Sequence, residues 1–276
     1  MFDARAALEA IGRLPDGEID IAAAALQFAR VDAPGADWQA AHDLLGRIAR
    51  DAVARACDVA NDDAAAQALA LATLLGRGYG FQGDAETYDN PANANLIRVL
   101  ERRRGLPVAL GIVWLHAARV CGWTAHGLDF PGHFLLGLGG GRSPIVLDVF
   151  AGGVPLGAPE LRRLLKRAEG EAAELRPDSL APMSTRAVLM RLQNNLRLRR
   201  LQAGDLDGAI ACAEDMLRAA PEQSLLWRDT GLMHQRAGAL GAALRCLVRA
   251  LELTPDPSPA AERLRRAIEE LRMRIN

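Results

Sequence analysis

The chain has 276 residues, half of them hydrophobic, and a formal net charge of −1. This length accommodates one large domain or two ordinary domains with a sizeable core. Because the charge is close to zero, no whole-chain field attracts nucleic acid or an anionic membrane, and we predict neither as a partner.

We find no targeting signal or metal-binding motif in the sequence. The N-terminus lacks the apolar segment of a signal peptide, and the longest apolar run, Leu106 to Leu115, is too short to cross a bilayer. The four cysteines are scattered without a CxxC pair: Cys57, Cys121, Cys212 and Cys246. We therefore predict a cytoplasmic protein with reduced thiols, no bound metal and no cofactor.

The first third of the chain is predicted to be helical. Residues 17–76 carry apolar side chains at three- and four-residue spacing, with a break at Pro34-Gly35. A polar loop rich in glycine and proline follows over residues 78–95. Asn93 and Asn95 stand at its end, where we expect them either to cap the next short helix or to line a binding cleft.

A long apolar helix is predicted to begin at Pro107, since proline suits the first turn of a helix. It has almost no polar face, which indicates a central, buried position. Three strand candidates come next, at residues 124–130, 133–138 and 145–150, and the last two form a hairpin across a glycine-rich tip. Helices packed on a small antiparallel sheet make residues 1–176 an α+β domain.

A period of 34 residues marks the C-terminal part. The segment AGDLDGA at residues 203–209 recurs as AGALGAA at 237–243, and Pro221 and Pro255 keep the same offset. Small residues at a tight turn between two helices, with proline at the end, indicate tetratricopeptide repeats. We assign residues 177–276 to an all-α repeat region that ends in a charged capping helix.

One histidine and one aspartate lie on the predicted hairpin. If the strands close around Gly140-Gly141, His133 and Asp148 face each other. A carboxylate that orients an imidazole is the base half of a catalytic triad, but the same hydrogen bond can also fasten a hairpin. Both interpretations are open, and a slip of one residue would place the two side chains on opposite faces of the sheet.

Several segments in combination resemble one bacterial family. They are NPANANLIRVLERRRGLPVALGIVWLHAARVCGW, PGHF, LDVFAGG and the RDTGL of the second repeat. The family comprises transglutaminase-like proteins with C-terminal tetratricopeptide repeats, the SirB-type proteins. The resemblance runs from Tyr88 to Pro255 and implies a transglutaminase-like core domain whose biochemical activity is not established.

The sequence departs from active transglutaminase-like enzymes at the start of the central helix. The resemblance implies a cysteine there, shortly after a glycine, where the helix N-terminus lowers the pKa of the thiol. In this chain Gly105 precedes Leu106, Pro107, Val108 and Ala109, so cysteine, serine and threonine are all missing.

None of the four cysteines in the chain is predicted to replace the missing nucleophile. Cys121 falls at the opposite end of the central helix, where the helix dipole disfavours a thiolate. Cys57 occupies a mostly apolar position and is predicted to be a small buried hydrophobe. Cys212 and Cys246 share the repeat offset, so packing accounts for both.

Two functions from different classes remain. We predict a non-catalytic transglutaminase-like protein that acts as a protein-interaction or regulatory module and binds a protein or peptide through its repeats. The repeat-groove candidates are Asn194, Asn195, Arg228 and His234, and the cleft candidates of the first domain are Asn93, Asn95, Pro107, Val108 and Ala109. The alternative is a cysteine-less hydrolase or acyl-transfer enzyme in which His133, oriented by Asp148, is a general base.

Overall fold

The structure is a computed structural model that describes residues 3–140 and 144–275. Its α-helices are α1 Ala4–Arg13, α2 Ile21–Asp32, α3 Trp38–Ala56, α4 Ala64–Leu71, α5 Leu96–Arg102, α6 Pro107–Val120, α7 Ala158–Glu169, α8 Thr185–Gln202, α9 Leu206–Ala219, α10 Ser224–Arg236, α11 Leu240–Glu252 and α12 Pro259–Ile275. Its strands are β1 Gln82–Gly83, β2 Arg104–Gly105, β3 Ala125–Phe130, β4 His133–Leu138, β5 Ile145–Asp148 and β6 Val154–Leu156. The part of the predicted hairpin tip that includes Gly141 and Arg142 lies outside the described residues.

The chain divides into two compact units. The core unit comprises Pro15–Leu192, and the repeat unit comprises Met1–Leu14 together with Gln193–Asn276. Helices and a small antiparallel sheet in the core unit, with an all-helical repeat unit, agree with the predicted α+β class. This division differs from the predicted boundary at residue 176 in two places: the core unit extends to Leu192, and the first helix belongs to the repeat unit.

The segment after residue 176 packs on the core sheet. Pro182 forms an isolated bridge with Leu128, and the backbone N–H of Met183 donates to the carbonyl of Gly127 at 2.8 Å. Asp16 caps the start of α8 by accepting from the backbone N–H of Thr185 at 2.8 Å. These contacts assign the beginning of α8 to the core unit.

The first helix, in contrast, packs on a repeat helix. Arg5 Nε donates to Asp215 Oδ1 at 3.0 Å. A Cβ atom on Gly12 would lie 2.2 Å from the carbonyl oxygen of Arg218, so the side-chain-free glycine allows α1 to approach α9 closely. Because α1 belongs to neither repeat, the 34-residue period did not predict that it packs on α9.

Helix α6 forms the centre of the core unit, as predicted. Eleven of its fourteen residues are buried, including Trp114. A Cβ atom on Gly111 would lie 2.1 Å from the ring of Phe134 on β4, so glycine permits the close packing of helix on sheet. The start of α6 at Pro107 is also confirmed.

Strands β3, β4, β5 and β6 form an antiparallel sheet in chain order, and β1 and β2 form a separate parallel pair. Leu136 lies opposite Leu147, and Leu138 lies opposite Ile145. This register is shifted by two residues from the predicted one, so His133 and Asp148 are not directly opposed. A shift of two residues keeps every side chain on its original face.

The repeat unit confirms the predicted period. Gly204 and Gly238 both have φ of +78°, at equivalent turns between consecutive helices. This left-handed conformation suits glycine, which lacks the Cβ atom that would clash there. Helix α12 buries Leu264 and Ile268 in a cluster with residues of α11 and caps the stack as expected.

Candidate functional site

The His133–Asp148 pair forms at one end of the β4–β5 hairpin. His133 begins β4 and Asp148 ends β5, and Nε2 of the imidazole donates to Oδ1 of the carboxylate at 3.3 Å. The His133 side chain is 21% exposed and the Asp148 side chain 15%. The two side chains therefore make the contact that the spacing indicated, but diagonally across the strands rather than directly opposite.

The Asp148 carboxylate also anchors the turn that follows β5. Its Oδ1 accepts from the backbone N–H of Phe150 at 2.9 Å and of Ala151 at 3.2 Å. Burial raises the pKa of Asp148, but the hydrogen bond and charge of His133 and the two backbone amides outweigh burial and hold the pKa below its ordinary value. The carboxylate is consequently ionised at neutral pH.

Arg191 holds the start of β4 from α8. Its Nη2 donates to the carbonyl of His133 at 2.7 Å, and its guanidinium pairs with Asp129 and lies 5.8 Å from the Phe134 ring centroid. Burial lowers the pKa of Arg191, opposed by the nearby Tyr88. The sequence contained Arg191 only as part of a basic run, and no local signal joins residues 58 positions apart.

An aromatic pair lies next to the turn that Asp148 anchors. Tyr88, from the loop before α5, makes an edge-to-face contact with Phe150 at a centroid distance of 6.0 Å. Tyr88 is 44% exposed. The surroundings of the His133–Asp148 pair thus come from this loop, the sheet and α8.

The start of α6 carries no side-chain nucleophile. Val108 is 2% exposed and Ala109 is fully buried, and Pro107 is buried beside them. Leu106 precedes the helix and supplies no capping hydrogen bond from its side chain. These residues belong to the core rather than to an open cleft, which corrects the prediction that they line one.

The two asparagines of the preceding loop have structural partners. Asn93 is fully buried and accepts from Arg102 Nη1 at 2.9 Å, while its amide donates to the carbonyl of Thr87 at 2.6 Å. Asn95 caps α5 and donates to the carbonyl of Ala29 at 3.0 Å. Both side chains fasten the loop inside the core unit, so they too do not line a cleft.

The cysteines lie in three different environments. Cys57 is exposed at the end of α3, which corrects the prediction that it is buried. Cys121 lies at the C-terminal end of α6, where burial and then the neighbouring Cys57 raise the pKa of its thiol. Cys212 and Cys246 are buried in the repeat unit at equivalent positions, as predicted.

His116 and His126 are two further histidines of the core unit. His116 Nε2 lies 3.3 Å from the carbonyl of Leu45, which ties α6 to α3. Burial and then the charge of Arg119 lower the pKa of His126. Within residues 3–140 and 144–275, no group of three or more histidine, cysteine, aspartate or glutamate side chains could hold a metal ion.

The four repeat-groove candidates take part in contacts within and between the repeat helices. Asn194 accepts from Arg197 at 2.7 Å, Asn195 from Arg199 at 3.2 Å, and Arg228 pairs with Asp229 at 2.8 Å. Nε2 of His234 on α10 lies 3.2 Å from Oε1 of Glu214 on α9. Sequence reasoning missed this acidic partner, because 20 residues and a turn separate it from His234.

A cavity of about 810 Å³ adjoins the turn after β5. Phe150, Ala151, Gly152 and Gly153 form one wall, and α4 with the π-helical stretch Ala72–Gly78 forms another. Neither His133 nor Asp148 is among its lining residues. The cavity was not predicted, since its walls come from segments more than 60 positions apart.

At the His133–Asp148 pair, the carboxylate orients the imidazole, which can act as a base. The start of α6 supplies no side-chain nucleophile for it. A base of this kind can accept a proton from water or from a bound hydroxyl group. The same bonds also fix the turn after β5, which is a structural role.

No helix of the described chain is long and apolar enough to cross a membrane.

Comparison with known proteins identifies both parts of the chain. The family model described as the transglutaminase-like superfamily matches residues 39–194, and a tetratricopeptide repeat model matches residues 196–273. The first match covers more than half of the 276 residues and contains the His133–Asp148 pair and α6.

Relatives of this chain occur in several bacteria. A UPF0162 protein of Xylella fastidiosa is 37% identical over 180 residues, which are 64% of this chain and 64% of the relative. A UPF0162 protein of Pseudomonas aeruginosa is 31% identical over 75% of this chain and 77% of the relative. A UPF0162 protein of Vibrio cholerae is 28% identical over 92% of this chain and 93% of the relative. The match thus spans less than two thirds of the Xylella relative. The chain belongs to the transglutaminase-like superfamily and carries tetratricopeptide repeats after its transglutaminase-like domain.

Proposed function

We propose that this protein is a non-catalytic member of the superfamily that acts as a protein-interaction or regulatory module through its repeats. The observation that carries the proposal is the start of α6. Buried Val108 and Ala109 occupy the place where the family resemblance implies a nucleophile. Asp148 meanwhile directs its hydrogen bonds to His133 and to two backbone amides of a turn.

The surface of the repeat unit supports binding of a protein or peptide. Leu225 is 65% exposed and Leu232 46% on α10, and Leu198 is 44% exposed on α8. Leu225 and Leu232 are seven positions apart, so they lie on one face of α10. These exposed apolar side chains on repeat helices support the proposed interaction surface, because burial in a complex would remove them from water.

A partner-capture experiment tests the proposal. The full chain is immobilised in three forms: wild type, the double variant Leu225→Asp and Leu232→Asp, and the control Val53→Asp on α3. Val53 is 46% exposed and lies in the core unit, so it matches Leu232 in exposure. Each captured protein is then purified and its Kd for the three forms is measured by titration.

We expect a partner that binds the wild type and the control equally and the double variant at least tenfold more weakly. Two apolar contacts of this size account for about 1.4 kcal/mol or more of binding, which is a factor of ten. Equal affinity for all three forms, or no specific partner at all, would contradict a role for this surface.

A general-base hydrolase or acyl-transfer enzyme is the second candidate. The observation that favours it is the 3.3 Å contact between His133 Nε2 and the ionised Asp148. Peptide, ester and amide substrates are incubated with the wild type, His133→Ala and Asp148→Asn. A well-placed histidine base contributes about 10²–10⁴-fold to a rate, so a loss of this size in both variants would establish the enzyme. Under the proposed interaction function, the three rates are equal.

A further inference from the structure

The cavity beside the turn after β5 has walls that are fixed before any ligand arrives. Gly153 donates its backbone N–H to the carbonyl of Asp148 at 2.8 Å, and Gly83 donates to the carbonyl of Phe150 at 2.9 Å. Gly152 and Gly153 have φ of +76° and +85°, and a Cβ atom on Gly153 would lie 2.2 Å from the Trp114 ring. Ligand sites in proteins are commonly preformed in this way.

The lining of the cavity is almost entirely apolar. Alanine, glycine and larger apolar residues make up all of it except Gln82 and Arg77. Leu69 and Val154 line it and are also 62% and 49% exposed, so these apolar side chains remain in contact with water. A ligand that covers them would remove apolar surface from water, which is favourable.

Arg77 is the one charged residue among those that line the cavity. It belongs to the π-helical stretch Ala72–Gly78 and is exposed. The next two acids along the chain are engaged with other arginines: Asp84 pairs with Arg102 at 2.7 Å, and Glu86 pairs with Arg104 at 3.2 Å. The Arg77 guanidinium is therefore available to an anionic group of a ligand.

We infer that this cavity binds an amphipathic carboxylate, with an aliphatic chain along the apolar walls and its carboxylate at Arg77. The volume of about 810 Å³ falls within the range of about 300–1,000 Å³ that is common for small-molecule sites. One guanidinium matches one carboxylate in a bidentate pair. Short π-helical segments such as the one carrying Arg77 are frequent at functional sites.

Titration calorimetry with decanoate and decanol tests the inference on the full chain. The two ligands share the aliphatic chain and differ in charge. Phosphatidylglycerol vesicles that contain no free fatty acid are a third ligand, which tests whether the protein binds membrane lipid rather than a free carboxylate. The variants are Arg77→Gln, Leu69→Asp, Ala72→Trp and the control Arg55→Gln on α3. Arg55 is an exposed helical arginine that does not line the cavity.

We expect saturable decanoate binding to the wild type and to Arg55→Gln, and binding about two- to fivefold weaker to Arg77→Gln at low salt, which is the effect of one exposed ion pair. Leu69→Asp is expected to weaken decanoate more than decanol, because it adds a negative charge at an exposed position. Ala72→Trp fills the cavity and is expected to abolish the binding of both ligands.

Three results would overturn the inference: no saturable binding of decanoate, equal decanoate affinity in Arg77→Gln and the wild type, or binding to vesicles alone. Since Leu69 is exposed, Leu69→Asp leaves the core intact and keeps the test valid if Ala72→Trp fails to fold. Failure here would leave the proposed repeat interaction untouched, because the two surfaces share no residue.

Discussion

The His133–Asp148 pair of the core unit and the His234–Glu214 pair of the repeat unit differ in how they are built. His133 and Asp148 lie 3.3 Å apart with both side chains mostly buried, and Asp148 also accepts from two backbone amides. His234 and Glu214 lie 3.2 Å apart, but the Glu214 side chain is 47% exposed. The same two functional groups thus form a turn anchor in one unit and a peripheral tie between helices in the other.

The distances within the two pairs are nearly equal, so distance alone does not distinguish their roles. The neighbours of the carboxylate decide its role, because backbone donors fix its position and hold its pKa low. Asp148 has such donors and is suited either to anchor a turn or to orient a base. The contact of Glu214 with His234 resembles an ion pair at a protein surface, because half of the Glu214 side chain is exposed.

The largest expected effect separates the two carboxylates directly. Asp148→Ala removes the acceptor of two backbone N–H groups and is expected to lower the free energy of unfolding by about 3 kcal/mol. Glu214→Ala removes a half-exposed pair and is expected to cost less than about 1 kcal/mol. Urea unfolding at pH 7 measures both, and equal losses would contradict the contrast between the pairs.

The two repeat turns provide an internal standard. Gly204→Ala and Gly238→Ala each force a Cβ atom into a backbone with φ of +78°. We expect each to cost about 1–2 kcal/mol and the two costs to agree, since the turns are equivalent. Thermal unfolding of the variants checks this. A clearly unequal pair of losses would show that the two repeats are not structurally equivalent at their turns.

A smaller effect concerns pH. Asp148→Asn keeps an acceptor oxygen but loses the charge, and at pH 7 we expect a loss of about 1 kcal/mol, since charge-assisted bonds are roughly twice as strong as neutral ones. The folded-state pKa of Asp148 is lowered, so its contribution is present above the ordinary value of 3.8 and is lost as the pH falls through the folded-state pKa. Unfolding of the two proteins at intervals between pH 7 and pH 2.5 should therefore show the difference shrinking below pH 4. A constant difference would mean that the charge of Asp148 does not stabilise the fold.

The smallest effect is an expected absence of change. Cys57 is exposed and should react first with iodoacetamide, while the buried Cys212 and Cys246 should react only on unfolding. His133→Ala should alter none of these rates, since no cysteine stands at the start of α6. Mass spectrometry between pH 5 and 9 reads each site. A cysteine that reacts fast at pH 6 and slows in His133→Ala would instead reveal a relocated Cys–His pair.

Some long-range features were predictable because local patterns encode them. His133 and Asp148 are 15 residues apart on a hairpin, so strand alternation was enough to bring them to one face. The repeat period placed Gly204 and Gly238 at equivalent turns. Strand β6 and the exposure of Cys57 were missed, since a three-residue strand and the end of a helix carry little periodicity.

Other features had no local signal. Arg191 reaches His133 across 58 positions, and Asn95 reaches Ala29 across 66. Asn93 and Asn95 resembled cleft residues because asparagines before a helix are equally suited to capping and to binding. Their burial became known only once α2 and α5 were placed around them.

By itself the sequence determined the three longest strands, the buried character of α6, the repeat period and the absence of a nucleophile at residues 106–109. These follow from residue types and spacing, which act over one or two turns of chain. Only the tertiary structure decided the partners of Asp148, the place of α1 on α9 and the cavity beside Arg77. Those depend on which remote segments pack together, and packing responds to the shape and burial of surfaces that no local spacing describes.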